Sequence, residues 1–214
     1  YRSSRGLGDV YKRQYLLSVA LFAVSSSVTP GPNNIMVMTS GLNFGVKRSL
    51  PLLTGICVGF TLMLLLVGLG FGELFSLFPQ LSLAVKVMGT LYLLYLALQI
   101  AMADSVSAEK GRNRPLGFLN GALFQWVNAK AWVVAIGAIS AFTTIGEGYM
   151  TQNLTIASMF FIASFPCVGV WLVFGSSLRR YLDKPAYLKA FNKLMALLLV
   201  VSVLPVVGEI IGQF

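Results

Sequence analysis

The sequence predicts an all-α integral membrane protein with six transmembrane helices. Of its 214 residues, 57% are hydrophobic and only 11% are charged, whereas a soluble domain carries about 25% charged residues. Two stretches, residues 49–72 and 148–178, contain no charged residue, and about 20 helical residues suffice to cross a bilayer core. No segment shows the alternation of a membrane β-barrel, so helices are the structure that satisfies the backbone inside lipid.

The six helices are predicted from the apolar blocks in chain order. The first is a segment of about 30 residues, which as one straight helix would measure about 45 Å and is therefore expected to be interrupted. The second and fifth contain the two uncharged stretches. The third and sixth are built on shorter uncharged runs, residues 87–103 and 194–208, and the fourth contains a single charge, Lys130. The predicted bounds are 15–44, 49–72, 79–103, 116–144, 152–178 and 188–212.

Residues 1–14, with the sequence YRSSRGLGDVYKRQ, are set apart from a single transmembrane domain that is predicted over residues 15–214. The segment has no initiator methionine, no apolar core and no periodicity, so it does not resemble a signal peptide. We expect a non-native sequence joined to a truncated start. The alternative is a native, disordered basic tail.

The net charge of +9 is explained by membrane orientation rather than by a nucleic-acid partner, because the basic residues are scattered between apolar blocks. Nine of them fall in the first, third and fifth connections, while the second and fourth contain only Glu73 and Glu147. The positive-inside rule then places these three connections in the cytoplasm and both termini outside. Lys86, inside the third helix, is expected to snorkel to the interface. The nine are Lys47, Arg48, Lys110, Arg112, Arg114, Arg179, Arg180, Lys184 and Lys189.

The inventory of reactive side chains excludes most enzyme chemistry. The chain has no histidine and two cysteines, Cys57 and Cys167. Ser-His, Cys-His and histidine–metal sites are therefore excluded, and two cysteines cannot form a metal cage or a disulfide framework. A serine with Lys130 is the one catalytic dyad left to propose. We predict neither enzyme activity nor a metal or other cofactor.

A polar interruption falls about halfway along the first predicted helix, at Thr29, Pro30, Gly31, Pro32, Asn33 and Asn34. Pro30 and Pro32 lack an N–H, so the carbonyls of Ser26 and Val28 lose their helical donors. Thr29 could cap a new half-helix, or one of the two asparagines could cap it a turn later. Because buried polar groups at this depth are rare unless they line a cavity, we predict a functional broken helix rather than a simple kink.

The fourth predicted helix contains a second polar block in its first half. Lys130 is the only charge between residues 115 and 146, and a lysine inside the bilayer costs about 2.5–3.5 kcal/mol on insertion scales. With Gln125 and Asn128 beside it, we predict the polar lining of a cavity. The alternative is a lysine that snorkels to the cytoplasmic headgroups between Trp126 and Trp132.

These motifs together resemble the LysE/RhtB family of amino-acid exporters. The resemblance is carried by TPGPNN at 29–34, YLLYLA at 92–97 and FQWVNAKAW at 124–132, and it runs from about residue 16 to the C-terminus. The double asparagine and the Val-Asn-Ala-Lys pattern look most like the cysteine and O-acetylserine exporter branch. Many relatives have a proline after the asparagine where this chain has Ala129, so the sequence leaves open whether the fourth helix is broken there.

The resemblance implies a secondary exporter of small neutral amino acids or their derivatives, such as cysteine, O-acetylserine, threonine and homoserine. It would act in the cytoplasmic membrane of a bacterium, surrounded by the lipid bilayer and driven by the proton gradient. An uncoupled amino-acid facilitator or channel is the alternative, and a homo-oligomer is left open. Three helices on each side of the third connection, each half starting with a polar break, fit an inverted repeat with its substrate site at the midplane.

We expect a zwitterionic amino acid to bind at the two breaks. Its carboxylate would meet the N-terminus of the half-helix near Asn33, with Lys130 as a second partner. Its ammonium would meet the released carbonyls, amide oxygens or the face of Trp126. Acidic residues lie only near predicted helix ends, which favours neutral over cationic substrates; Lys130 or the substrate's own ammonium would carry the proton. The predicted substrate-binding residues are Thr29, Pro30, Gly31, Pro32, Asn33, Asn34, Gln125, Trp126, Asn128 and Lys130.

Overall fold

The computed structural model describes the backbone of residues 2–73, 77–102, 115–146, 148–182 and 185–212. Side chains are described from residue 10 onward within these ranges, with the exception of residues 79, 81 and 82. This part of the chain consists of helices and short connections and contains no β-strand, as the sequence predicts. Lys110, Arg112, Arg114, Glu147 and Lys184, on which the predicted orientation partly rests, lie outside the described residues.

Seven α-helices account for most of the described residues. A 3-10 turn at Phe71–Glu73 follows the second helix, and another at Gln125–Val127 follows the fourth. The helices are α1 (Arg2–Val28), α2 (Pro32–Gly68), α3 (Pro79–Ala101), α4 (Phe118–Phe124), α5 (Ala129–Phe142), α6 (Tyr149–Leu178) and α7 (Pro185–Ile211).

α2 consists of two helical segments joined by a kink at Gly45. Gly45 has φ 77° and ψ 171°, a backbone conformation that glycine adopts readily and residues with a β-carbon rarely do. The kink falls between the predicted end of the first helix and the predicted start of the second. The connection expected there is therefore a single kinked position, with the neighbouring Lys47 and Arg48 exposed.

Four helices among the described residues are long and apolar enough to cross a membrane. A fifth candidate is a pair of helices, α4 with its 3-10 turn and α5, bent by 70° at a short break. The apolar helices confirm the predicted all-α membrane protein, while the count of six and the inverted repeat stay predictions. The four long candidates are Pro32–Gly68, Leu83–Ala101, Tyr149–Leu178 and Pro185–Ile211.

α1 includes the segment that the sequence sets apart as a tail. The helix begins at Arg2, so residues 2–14 are helical, although one of the two expectations for them is a disordered tail. The origin of this segment stays a prediction. Further along α1, Val19 and Ala23 are buried, and the Tyr15 hydroxyl donates to the Phe142 carbonyl at the end of α5 (3.1 Å).

α2 packs backbone against backbone on its neighbours because of glycines. At five contacts a β-carbon on the glycine would clash with a neighbouring backbone. Such small-residue contacts are how membrane helices approach closely. They hold the first half of α2 against α6 and its second half against α4. The five contacts are Gly41 against Leu172, Gly55 against Phe118, Gly59 against Ala122, Gly121 against Leu52, and Gly175 against Met38.

Candidate functional site

The two polar blocks of the sequence are both helix breaks, and they touch. Residues 29–31 separate α1 from α2, and the segment ending at Asn128 separates α4 from α5. One contact between them is made by the ammonium of Lys130. Its Nζ donates to the Thr29 hydroxyl (2.9 Å), the Thr29 carbonyl (3.1 Å) and the Pro30 carbonyl (3.2 Å). The two breaks therefore form one site, although they lie about 100 residues apart in the chain.

The C-terminal end of α1 is closed by donors from elsewhere in the fold. The Asn34 amide donates to the carbonyls of Ser27 (2.9 Å) and Thr29 (2.8 Å), and the Trp171 indole donates to the Val28 carbonyl (3.0 Å). A helix C-terminus carries partial negative charge on its last carbonyls, so cationic and N–H donors stabilise it. The Lys130 ammonium completes this ring of donors.

The carbonyls whose helical donors the prolines remove were expected to be open to a substrate, but both have other donors. The Ser26 carbonyl accepts from the Thr29 hydroxyl (2.9 Å), and the Val28 carbonyl accepts from Trp171. Local and long-range donors occupy both. The acceptors presented to a cation are instead the carbonyls of Thr29 and Pro30, which face Lys130.

The N-terminal end of α2 starts two residues later than a Thr29 cap would place it. Gly31 is the N-cap, with an extended backbone, and Pro32 occupies the first helical position. The first helical hydrogen bond runs from the Ile35 N–H to the Gly31 carbonyl (3.0 Å). The N–H groups of Asn33 and Asn34 have no acceptor among the described residues, so the prediction that an asparagine or Thr29 side chain caps this end is wrong.

α5 begins at a true side-chain cap. Asn128 has an extended backbone, and its Oδ1 accepts from the Lys130 N–H (3.2 Å). Its side chain is almost fully buried. A capping asparagine in this conformation ends one helix and starts the next without a proline, which answers the question that Ala129 leaves open.

A reciprocal amide pair fixes the two breaks relative to each other. Asn33 Nδ2 donates to Gln125 Oε1 (2.9 Å), and Gln125 Nε2 donates back to Asn33 Oδ1 (3.0 Å). Gln125 Nε2 also donates to the Gly121 carbonyl (2.9 Å) and is completely buried. Since these bonds use the amide groups, the pair acts to position the site.

Two cavities flank the crossing of the breaks. The smaller, of about 50 Å³, lies among α1, α2, α5 and α6 and is lined by Asn34, Cys57 and Ser164 among others. The larger, of about 480 Å³, lies among α3, α5 and α7. Three residues line both cavities, so they form the wall between them. These are Gly31, Asn128 and Lys130.

The wall is a tight contact between Gly31 and the Lys130 side chain. A β-carbon at Gly31 would lie 2.9 Å from Lys130 Cδ and 3.1 Å from Nζ, both closer than normal packing allows. Glycine therefore gives the lysine stem room to pass over the first break. Asn34 Oδ1, which belongs to a residue lining the smaller cavity, is buried without a hydrogen-bond partner among the described residues.

The family model described as LysE type translocator matches residues 24–205, which contain both breaks. The chain belongs to the LysE family. The cysteine/O-acetylserine efflux protein of Salmonella paratyphi A is 30% identical to it over 182 residues, 84% of this chain and 90% of the relative. A protein of the same name from Klebsiella pneumoniae is 33% identical over 121 residues, 56% of this chain and 61% of that protein. No solved structure matches the chain.

Membership of the LysE family confirms the resemblance and identifies a multi-pass membrane transporter, not an enzyme. Within the described part of this LysE-family chain, no group of three or more acidic, cysteine or histidine side chains could hold a metal ion. The chemistry that the site offers is therefore electrostatic: one ammonium, helix-end carbonyls, helix-end N–H groups and amides.

Most of the residues predicted for binding meet at this crossing, but Trp126 stands apart. Its ring packs edge-on against Trp132 (centroids 6.0 Å apart), and its carbonyl accepts from the Trp132 indole (2.9 Å). It lines neither cavity. The orientation of the bent helix turns this ring toward α5, so its part in binding has no geometric support.

Two features of the site were missed by the sequence analysis. Trp171 lies in an uncharged apolar run, where nothing marks it as a cap for a helix 143 residues away. Lys86 was interpreted as a snorkelling residue, but its Nζ lies 2.9 Å from Glu209 Oε2, and both line the larger cavity. The sequence contained a signal for this ion pair, because an isolated lysine lies within one predicted helix and an acidic residue lies near the end of another.

Proposed function

We propose that this LysE-family translocator exports small neutral amino acids and derivatives of the cysteine and O-acetylserine class across the bacterial inner membrane, coupled to the proton gradient. The names of its relatives support the substrate class. The observation that carries the site is the Lys130 ammonium held by the Thr29 and Pro30 carbonyls. An amino acid also carries an ammonium group, so the carbonyls at the first break can accept hydrogen bonds from it in the same way.

Binding is proposed to proceed by exchange at these carbonyls. The substrate ammonium replaces Lys130 Nζ on Thr29 and Pro30, with Asn34 Oδ1 as a further acceptor. The displaced Lys130 then pairs with the substrate carboxylate, which also accepts from the N–H groups at the start of α2. Because a zwitterion adds no net charge, the site keeps the same total charge through the exchange.

The net charge of the site also favours neutral over cationic substrates. An arginine or lysine would bring one extra positive charge into a site that already contains Lys130. Among the described residues, the only carboxylate lining either cavity is Glu209, and it already pairs with Lys86. An unpaired charge in a low-dielectric cavity is unfavourable by several kcal/mol, which argues against cationic side chains.

Coupling is proposed to run through Lys130. The chain has no histidine, and Lys130 is the ionisable residue that touches both cavities. Because the Lys130 ammonium pairs with the carboxylate while the substrate is bound, Lys130 exchanges its proton with water only before the substrate binds or after it leaves. We further propose six spans, with the first running through residues 29–31, and both termini outside.

Efflux from loaded cells tests this function. Bacteria expressing the protein are loaded with O-acetylserine, cysteine, serine, threonine or arginine, and the appearance of each compound outside is followed with and without an uncoupler. We expect export of the neutral compounds that stops with the uncoupler. Lys193→Gln serves as a control variant and is expected to export like the wild-type protein, since Lys193 is exposed on α7 and lines neither cavity. Faster export of arginine than of the neutral compounds would overturn the substrate class, and uncoupler-resistant accumulation outside would overturn the coupling.

A further inference from the structure

The larger cavity contains a charged pair that the proposed site does not use. Lys86 on α3 and Glu209 on α7 are joined at 2.9 Å, with 28% and 60% of their side chains exposed. Each belongs to a stripe of one helix that lines the cavity at helical spacing. The stripes are Lys86, Gly89, Thr90 and Leu93 on α3, and Ser202, Val203, Val206 and Glu209 on α7.

The pair lies close to the crossing of the breaks. Gly89, one turn beyond Lys86, packs on the Val127 backbone with no room for a β-carbon. One helical turn is about 5.4 Å, so Lys86 is a short step along the same wall from the second break. Lys130 lines this cavity too. A molecule that leaves Lys130 on this side therefore meets Lys86 and Glu209 next.

A polar group without a partner lies on the same wall. The Thr90 hydroxyl is buried and has no hydrogen-bond partner among the described residues, although a helical threonine can usually donate to a carbonyl one turn back. Most of the remaining lining is aliphatic, including Val85, Val133 and Ile136. The cavity thus offers a mostly apolar wall and one ion pair, and one of its lining residues has a buried hydroxyl without a hydrogen-bond partner among the described residues.

We infer that Lys86 and Glu209 form a second amino-acid subsite, through which the substrate passes between the crossing and the end of the cavity where α3 begins and α7 ends. The inference rests on the proposed function. The pair opens, Lys86 donates to the substrate carboxylate, and the substrate ammonium donates to Glu209. A zwitterion replaces both partners at once, so neither charge is left unpaired. A partly exposed ion pair contributes little stability, so this exchange is readily reversible, as a release step requires.

The alternative is an ion pair that only holds α3 against α7. Those helices already share an apolar contact that includes Leu93, Leu96, Leu199 and Val203. A purely structural pair would affect protein levels and stability. It would not change which charge of the substrate is recognised, and this difference is what the experiment measures.

The test uses the full protein in liposomes loaded with labelled O-acetylserine, with inhibitors added to the medium. Serine is the zwitterionic inhibitor, N-acetylserine the anionic one and serine methyl ester the cationic one. We expect Glu209→Gln to favour N-acetylserine and Lys86→Gln to favour the methyl ester, each by about tenfold relative to wild type. Glu73→Gln and Lys193→Gln are the controls, because these exposed residues line neither cavity.

The double variant Lys86→Gln/Glu209→Gln covers the case in which a single unpaired charge prevents membrane insertion. It leaves no unpaired charge, and we expect about tenfold slower efflux at low substrate concentration. Wild-type efflux by the double variant, or equal inhibition patterns in both single variants, would overturn the subsite and leave the proposed function intact. A wild-type protein that moves no amino acid would overturn both.

Discussion

Replacing Lys130 with methionine is expected to slow export strongly while the protein still accumulates in the membrane. Three hydrogen bonds of 2.9–3.2 Å from Nζ are lost, but a half-buried charge is removed as well, and a lysine inside the bilayer costs about 2.5–3.5 kcal/mol on insertion scales. These two changes act in opposite directions on stability. For the substrate the larger effect is that its carboxylate loses a charged partner contributing about 1.5–3 kcal/mol, which we expect to exceed what its ammonium gains from carbonyls that Lys130 no longer occupies.

That loss corresponds to about 10- to 140-fold slower efflux at low substrate concentration. The assay is the initial rate of labelled O-acetylserine efflux from liposomes, normalised to the amount of protein in the bilayer. Lys130→Arg keeps the charge, and we expect it to retain more activity than Lys130→Met. Lys193→Met is the matched control, because this exposed lysine on α7 lines neither cavity.

Gly31→Ala tests the same contact by displacing the Lys130 side chain without changing its charge. The new methyl group would lie 3.1 Å from Lys130 Nζ and 2.9 Å from its Cδ, so the lysine side chain must shift over the carbonyls although its charge is unchanged. We expect export to fall in this variant as well. Wild-type efflux rates in both Lys130→Met and Gly31→Ala, at equal protein levels, would refute the exchange at the first break.

The remaining predictions concern the architecture that holds the breaks together. Asn33→Leu and Gln125→Leu are each expected to lower the unfolding free energy by about 1–3 kcal/mol, because each leaves the amide of its partner unpaired. The double variant is expected to lower it by less than the sum of the two. Strict additivity in thermal unfolding would contradict the reciprocal pair. Asn128→Ala removes the cap of α5 and is expected to cost about 0.5–2 kcal/mol, whereas Asn128→Asp should retain most of it; equal melting temperatures for the two variants would argue against capping. Gly59→Leu is expected to prevent stable insertion because its side chain meets the α4 backbone, and normal yield of a monodisperse protein would show that this contact is not close.

The sequence was sufficient for the features that arise from local chemistry. Two prolines within three residues remove backbone donors wherever they occur, so the break after α1 could be predicted from Pro30 and Pro32 alone. The polar surroundings of Lys130 likewise predicted that it faces the protein interior. The exact start of α2 could not be derived, because Thr29, Asn33 and Asn34 are all good caps and tertiary contacts use their side chains elsewhere.

The hydrogen bonds that join distant residues across the site could not be predicted from the sequence. Nothing local shows that Lys130 would bind the end of α1 rather than a substrate carboxylate, or that Trp171 would donate to Val28. These contacts depend on how α2, α5 and α6 pack, which in turn depends on close glycine contacts such as that of Gly175 with Met38. The break at Asn128 was ambiguous for a similar reason: an asparagine without a following proline can be either a cap or a buried helical residue.

The most direct test of the account is the distance between the substrate ammonium and the Pro30 carbonyl. Solid-state NMR can measure it in bilayers, with ¹⁵N-labelled O-acetylserine and protein carrying ¹³C-labelled proline carbonyls. The account predicts a nitrogen–carbon separation of about 4 Å, as in an N–H···O=C hydrogen bond, and loss of the signal in a Pro30→Ala variant. Bound substrate with no coupling to any proline carbonyl would contradict the claim that it displaces Lys130 at the first break.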